Sequence, residues 1–156
     1  MGVAGAGKST LGADLARRLG WPFVDADDHH PPRNVAKMAS GTPLEDEDRW
    51  PWLDLLNRKL KANSRNSLIL ACSALKESYR RRLLDGVADV RIVYLQGSFE
   101  LIAARLATRR HRYMPASLLE SQFAALEPPA GAIAIDIAAE PARCVDAIVA
   151  ELQLPM

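Results

Sequence analysis

The stretch that decides the fold of this chain is Gly2-Val3-Ala4-Gly5-Ala6-Gly7-Lys8-Ser9, which satisfies the pattern G-x-x-x-x-G-K-[ST]. Its glycines let the backbone curl so that successive N–H groups point inward at phosphate oxygens. Residues 11–19 carry their leucines on one helical face, so a helix N-terminus is predicted to face the same anion. Lys8 is placed to reach the β- and γ-phosphates, and the Ser9 hydroxyl to bind magnesium. The pattern therefore predicts a phosphate-binding loop (P-loop) for ATP, with Thr10 at its end.

Size and composition fit one domain that does not bind nucleic acid or membranes. A chain of 156 residues can bury roughly 70% of its unfolded surface without needing disulfides. The 20 basic and 19 acidic residues give a net charge of +1, whereas nucleic-acid or anionic-membrane binding would need a large positive excess. No apolar run reaches the ~18 residues of a membrane span, and we expect a cytoplasmic protein. Cys72 and Cys144 lack a metal-ligand spacing and are predicted to be reduced core residues.

Helix and strand signals alternate along the chain, which is typical of a parallel sheet with crossover helices. Strands are predicted at 21–24, 68–71, 90–95 and 132–137. Helices are predicted at 9–19, 32–40, 48–62, 76–84, 99–110, 115–126 and 142–152. Asp48 is the predicted N-cap of helix 48–62, with Pro51 in its first turn. The predicted fold class is α/β, a three-layer arrangement of a parallel sheet and flanking helices in a single domain over residues 1–156.

One strand of this architecture is not predicted. A P-loop normally follows a buried strand at the centre of the sheet, but here Met1 stands immediately before Gly2. Without that strand, two rows of backbone groups would lack partners, at a cost of roughly 1–3 kcal/mol for each buried group. We therefore expect the first strand to be missing from the sheet and the true start to lie upstream of Met1. The alternatives are that neighbouring strands close the gap or that the chain is weakly folded.

Carboxylates follow the predicted strand 21–24, in the stretch Asp25-Ala26-Asp27-Asp28-His29-His30-Pro31. Ligands of open α/β sheets lie outside the carboxyl ends of the strands. These carboxylates can therefore complete a magnesium shell and accept the proton of an attacking hydroxyl. A solvated acidic loop is the alternative, and the nearby P-loop favours the functional interpretation. Two neighbouring histidines do not share a face, so we do not expect a zinc site.

Arginines supply positive charge in two places. Arg49 stands near the start of helix 48–62 and can pair with a substrate carboxylate, although a capped helix start explains the same residues. Arg105 and Arg109 are one helical turn apart and precede a loop. Arginines so placed suit a lid over ATP, which we predict around residues 105–116. The alternative is an exposed basic helix.

The remaining motifs carry a family resemblance that covers nearly the whole chain. They are Asn34, Lys37-Met38, Gly41, Pro43-Leu44, Asp46, Asp48-Arg49, Pro51-Trp52-Leu53, Cys72-Ser73-Ala74-Leu75-Lys76, Tyr79-Arg80, Tyr94-Leu95, Gly97, Gln122-Phe123 and Leu126-Glu127. With the P-loop and the acidic stretch, the chain resembles the small bacterial-type gluconokinases, in the P-loop group that also holds shikimate kinase. It departs from that pattern at Ala26, where the family has Gly, and in the lid, where His111 and Arg112 replace Gly and His. These departures bear on how the lid closes.

The resemblance implies an ATP:gluconate 6-phosphotransferase that uses ATP and Mg²⁺ to convert D-gluconate to 6-phospho-D-gluconate. Two alternatives stay open: a kinase of another small hydroxy acid such as shikimate, and a catalytically silent protein that binds ATP or a metabolite. A homodimer is compatible with the resemblance. The roles it implies are catalysis for Lys8 and Asp27, metal binding for Ser9 and Asp25, nucleotide binding for residues 2–10 with Arg105 and Arg109, and substrate binding for Asp27, His30, Lys37, Arg49 and Arg80.

Lys8→Ala should abolish turnover while leaving the fold intact, because the lysine charge acts on the transferring phosphoryl group. Removal of comparable charge-stabilising groups costs ~10²–10⁵ in rate. Steady-state kinetics and thermal melting of the variant check both halves of this prediction. A variant that keeps more than about a tenth of the wild-type rate would contradict the role of Lys8.

Overall fold

The computed structural model describes residues 1–108 and 116–154. Its elements are α1 (Lys8–Leu19), β1 (Phe23–Asp25), a 3₁₀ turn (Ala26–His29), α2 (Pro32–Ala39), α3 (Asp46–Ala62), β2 (Ile69–Ala71), α4 (Glu77–Leu83), β3 (Val93–Gln96), α5 (Phe99–Ala107), α6 (Ala116–Ala125), β4 (Ile133–Asp136) and α7 (Pro141–Leu152). Helices alternate with parallel strands, which confirms the predicted fold class. Each predicted helix and strand is present, with ends shifted by a few residues.

The strands form two separate parallel pairs. β1 pairs with β2, and β3 pairs with β4, each in continuous register. Within residues 1–108 and 116–154, no strand of the sheet joins the two pairs. The predicted gap in the sheet is therefore present, and the alternative that neighbouring strands close it is wrong.

The first two residues lie in this gap and contact both pairs. The Met1 amine donates to the Val93 carbonyl at 2.6 Å, and the Leu95 N–H donates to the Met1 carbonyl at 2.9 Å. On the other side, the Gly2 N–H donates to the carbonyl of Ser73, just beyond β2, at 3.3 Å. One residue thus pairs with β3 while the next reaches the β2 side, so the gap is one strand wide.

A cavity of about 1040 Å³ continues the gap between β2 and β3. Apolar side chains line it, among them Leu11 and Leu15 of α1 and Ile148 of α7. We call this space the strand slot. Burial, together with the nearby charge of Lys8, lowers the pKa of the Met1 amine at its end to about 5. The slot therefore offers apolar walls and open strand edges but is unfavourable for a charge.

Two buried clusters place the loops that follow the strands. One packs α1, α5, α6 and α7 with β3 and β4, and includes Val3 and Ala6 of the P-loop. The other centres on α3, where Trp52, Leu53 and Leu56 are fully buried. The Trp52 indole N–H donates to the Ala26 carbonyl at 2.7 Å, which ties α3 beneath the acidic stretch.

The start of α3 differs from the prediction. The helix begins at Asp46 with Glu45 as its N-cap, and Asp48 occupies the third helical position. The Asp48 carboxylate accepts from the Glu45 N–H at 2.9 Å, forming the reciprocal half of a capping box. The prediction of Asp48 as the N-cap was thus wrong, because Glu45 supplies the cap. The prediction that Pro51 lies in the first turn was also wrong, because the helix starts at Asp46.

Both cysteines are free and buried, as predicted. Burial raises the pKa of the Cys72 thiol to about 12, which leaves it inert as a nucleophile near neutral pH. Among the described residues, no helix is long and apolar enough to cross a membrane.

An apolar extension of about six residues, a usual strand length, joined to Met1 should enter the strand slot and stabilise the chain. The added strand would pair with the open edges of β2 and β3. We expect Tm to rise by more than about 5 °C, since 1 kcal/mol is worth roughly 2–4 °C at this size. Turnover should rise as well, because the P-loop would be held more rigidly. Thermal melting at pH 8 and a kinase assay measure the two effects.

A Gly-Ser extension of equal length is the control, because it also replaces the Met1 amine by an amide. The folded-state pKa of this amine is lowered from 8.0 to about 5, so the unfolded chain binds more protons between these values. Stability should therefore fall as the pH is lowered through this window. Both extensions should remove the part of this dependence that comes from the Met1 amine and leave the part below about pH 6.5 that comes from His30, whose pKa is lowered to about 4. Only the apolar extension should raise Tm. Equal melting of the two variants would mean that the slot does not accept a strand.

Candidate active site

The P-loop curls between the strand slot and α1. Gly5 and Gly7 have φ of 78° and 98°, in the left-handed region that favours glycine. A Cβ atom at Gly5 would lie 2.8 Å from the Leu106 side chain, so α5 packs directly on the loop. Gly7 is the N-cap of α1, and the first N–H groups of this helix therefore open toward the loop. This geometry suits an anion, because backbone donors and the helix dipole point the same way.

Lys8 lies against the loop that it is predicted to serve. Its ammonium donates to the Val3 carbonyl at 2.9 Å. The side chain therefore folds back over the loop rather than extending into solvent. In that position its charge is available to a phosphate held by the loop.

Ser9 and Asp25, the two predicted metal ligands, are brought together. The Ser9 hydroxyl donates to the Asp25 carboxylate, whose other oxygen accepts from the Asp27 N–H at 3.0 Å. A hydroxyl and a carboxylate side by side are the hard oxygen donors that Mg²⁺ prefers. Among the described residues, no group of three or more His, Cys, Asp or Glu is arranged to hold a metal alone. The donors fit a Mg²⁺ that also takes phosphate oxygens and water as ligands, as this ion usually does with nucleotides.

Asp27 and His30 lie next to each other at the end of β1. The Asp27 carboxylate is 3.9 Å from the His30 ring nitrogen and is 42% exposed. His30 is buried and stacks on Trp52, with 4.0 Å between the ring centroids. Burial lowers the pKa of His30 to about 4, although the charge of Asp27 opposes the shift. At neutral pH His30 is therefore uncharged and can offer a substrate only a neutral hydrogen bond.

Lys37 is held at the corner between α2 and α3. Its ammonium donates to Asp48 at 2.6 Å, and this hydrogen bond raises the pKa of Lys37. The fully buried Asn34 fixes the same corner by donating to the Asp48 carbonyl at 2.9 Å. The Asn34 amide oxygen is buried and has no hydrogen-bond partner among the described residues. Asn34 was quoted in the motif but given no role, and its burial was not visible in the sequence.

A second cleft, of about 470 Å³, lies between the start of α3, the segment after β2, and α6. We call it the Arg49 cleft. Asp46, at its edge, accepts hydrogen bonds from Tyr79 at 2.5 Å and Lys76 at 3.0 Å, which hold the pKa of Asp46 below its usual range. The Arg49 guanidinium lies 5.2 Å from the centroid of the Tyr79 ring, and its Nε is buried without a hydrogen-bond partner among the described residues. A buried donor left unpaired is costly, so this position favours a ligand that accepts from Arg49.

Arg80 has a different environment from the one predicted. It is 4% exposed, and its terminal nitrogens donate to the carbonyls of Ala74, Leu75 and Glu127 and to the Glu77 carboxylate. A guanidinium whose donors are satisfied by protein acceptors has little left for a ligand. We therefore correct the substrate-binding prediction for Arg80: it braces the segment after β2.

The predicted lid arginines are only partly described. Arg105 lies on α5 and donates to the Ile137 carbonyl, just beyond β4. Arg109 and the rest of the predicted lid up to residue 115 lie outside the described residues.

Gln122 joins the site without having been assigned to it. Its side-chain oxygen accepts from the N–H of Ala4 in the P-loop at 2.7 Å. Gln122 also lines the Arg49 cleft, so the cleft opens beside the P-loop. The available signal was its place in the motif Gln122-Phe123, which by itself says nothing about what the side chain contacts.

Comparisons with known proteins show which family the chain resembles. The sequence model of the shikimate kinase family matches residues 4–125. A probable gluconokinase of Rattus norvegicus is 49% identical over 151 aligned residues, covering 83% of this chain and 80% of the relative. A gluconokinase of Gluconobacter oxydans is 47% identical over 133 residues, covering 83% of this chain and 74% of the relative. The crystal structure of a gluconokinase from Sinorhizobium meliloti superposes with a TM-score of 0.90 at 42% identity, covering 97% of this chain and 88% of that chain.

Arg49→Ala should weaken the binding of a carboxylate-bearing acceptor while nucleotide affinity is preserved. The Arg49 Nε is a buried donor with no acceptor in the described part of the chain, and loss of its hydrogen bond to a ligand costs on the order of 10–100-fold in affinity. The KM for gluconate and the Kd for ADP measure the two effects. Arg82→Ala is the matched control, because Arg82 is half-exposed and pairs with Asp54. Equal losses for gluconate and ADP would instead assign Arg49 a structural role.

Proposed function

The chain belongs to the gluconokinases, within the wider shikimate kinase family of P-loop kinases, and from this premise we propose that it transfers the terminal phosphoryl group of ATP to D-gluconate. The proposed product is 6-phospho-D-gluconate. The observation that carries the proposal is the adjacency of two sites. The P-loop and the Arg49 cleft share Gln122, so a nucleotide and a small acceptor can lie side by side.

On the nucleotide side, the chain supplies donors fixed before ATP binds. The backbone of residues 2–9 and the N-terminus of α1 bind phosphate oxygens. The Lys8 ammonium, already held at the loop, stabilises the negative charge of the transferring phosphoryl group. We propose that Ser9 and Asp25 would hold Mg²⁺, which would supply positive charge to offset that of the transferring phosphoryl group.

On the acceptor side, we propose that Asp27 accepts the proton of the attacking hydroxyl. The Asp27 carboxylate is partly exposed. The backbone N–H of Asp27 donates to the Asp25 carboxylate, which keeps the two residues next to each other. Arg49 is the proposed partner of the gluconate carboxylate, because its buried Nε has no acceptor among residues 1–108 and 116–154. Neutral His30 and Lys37 are proposed neighbours of the substrate hydroxyls.

An ADP-release assay with a panel of sugar acids and hydroxy acids tests the proposal. Gluconate should give the highest kcat/KM, and turnover should require Mg²⁺. Asp27→Asn is the matched variant: the amide keeps the size of the side chain but cannot accept the proton, so kcat should fall by about 10²–10⁴ while ADP still binds. More efficient turnover of shikimate would overturn the substrate, and no turnover of any acid would overturn the activity.

A further inference from the structure

The Gln122 side chain is oriented by the P-loop. A primary amide carries an acceptor oxygen and a donor nitrogen. Because the N–H of Ala4 is a donor, the group facing it at 2.7 Å must be the amide oxygen. The NH₂ group of Gln122 is therefore turned away from Ala4. Among the described residues, no protein acceptor binds this NH₂ group.

The helix that carries Gln122 is firmly seated. Leu118 and Leu119 of α6 are buried in the core, and Phe123 packs edge-on against Phe99 with 5.5 Å between the ring centroids. Just beyond the helix, the Glu127 N–H donates to the Leu75 carbonyl at 2.8 Å. A donor presented from a packed helix is held in a fixed place, which is what orienting a substrate requires.

The surroundings of Gln122 call for a neutral donor. The Arg49 cleft already contains Arg49 and Lys76 as cations, and the Asp46 carboxylate is taken up by Tyr79 and Lys76. An amide NH₂ can bind a hydroxyl or carboxylate oxygen without adding charge beside the phosphates. A carboxylate in the same position would repel both the acceptor's acid group and the phosphoryl group.

Building on the proposed function, we propose that Gln122 is a substrate-positioning residue that links the two sites. Its oxygen fixes the P-loop at Ala4, and its NH₂ group donates to an oxygen atom of the acceptor in the Arg49 cleft. The acceptor is thereby oriented relative to the loop that holds the phosphoryl donor, so that the two reacting groups are positioned next to each other.

Two substitutions separate the two halves of this role. Gln122→Glu keeps an oxygen for Ala4 but replaces the NH₂ donor by a charged oxygen. We expect the KM for gluconate to rise by about 10-fold or more, with the Kd for ADP within about threefold of wild type. Gln122→Met removes both contacts at similar volume, so both the KM for gluconate and the Kd for ADP should rise. Ala124→Glu adds the same charge on the exposed side of α6 and should leave both constants unchanged.

The outcomes are distinguishable within one series of assays. A wild-type chain that does not phosphorylate gluconate contradicts the proposed function, whatever the variants do. An active wild type with an unchanged gluconate KM in Gln122→Glu overturns the role of the NH₂ group. Equal losses of Tm and of affinity for both ligands in Gln122→Glu and Gln122→Met would show that Gln122 is only structural. Thermal melting of all four proteins supplies this comparison.

Discussion

The backbone hydrogen bonds of Met1 and Gly2 hold the P-loop between two otherwise separate pairs of strands. Since the P-loop begins at Gly2, its position relative to β2 and to β3 depends on this short segment. Val3 and Ala6, the next buried residues along the P-loop, pack into the core and fix the loop there. The position of the P-loop relative to Asp25, the proposed metal ligand at the end of β1, and to the cleft beside α6 therefore depends on these bonds.

The charged groups of the site differ in whether protein atoms accept their hydrogen bonds. The terminal nitrogens of Arg80 donate to backbone carbonyls and to the Glu77 carboxylate, and Lys37 donates to Asp48. Burial removes the charge of His30 near neutral pH. Arg49 differs, since its buried Nε has no acceptor among the described residues. Arg80 and Lys37 are thus part of the structure of the site, whereas Arg49 is the cation proposed to bind an anion, because a buried donor without an acceptor is costly.

The P-loop is also connected to the rest of the site by side chains distant in sequence. Leu106 of α5 packs on Gly5, and Gln122 of α6 binds Ala4. In the sequence, these helices stand on either side of residues 108–115, which include Arg109, Arg110 and Arg112. A phosphate bound in the loop would therefore lie against two helices that also border the acceptor cleft and the end of β4. This packing connects the proposed nucleotide site with the proposed acceptor site.

The sequence by itself determined the P-loop, the order of helices and strands, and the approach of the acidic stretch to the P-loop, whereas Asp25 as the partner of Ser9 was implied by the family resemblance. These follow from local rules: the glycine spacing, the leucine period of α1, and the common edge at which parallel strands end. Tertiary structure alone decided that Arg80 is a brace, that Glu45 caps α3, and that Gln122, 118 residues from Ala4, reaches the loop. The reason is physical. Periodicity tells which face of a segment is buried, but the partner of a buried polar group is chosen by how distant segments pack, and no local pattern encodes that.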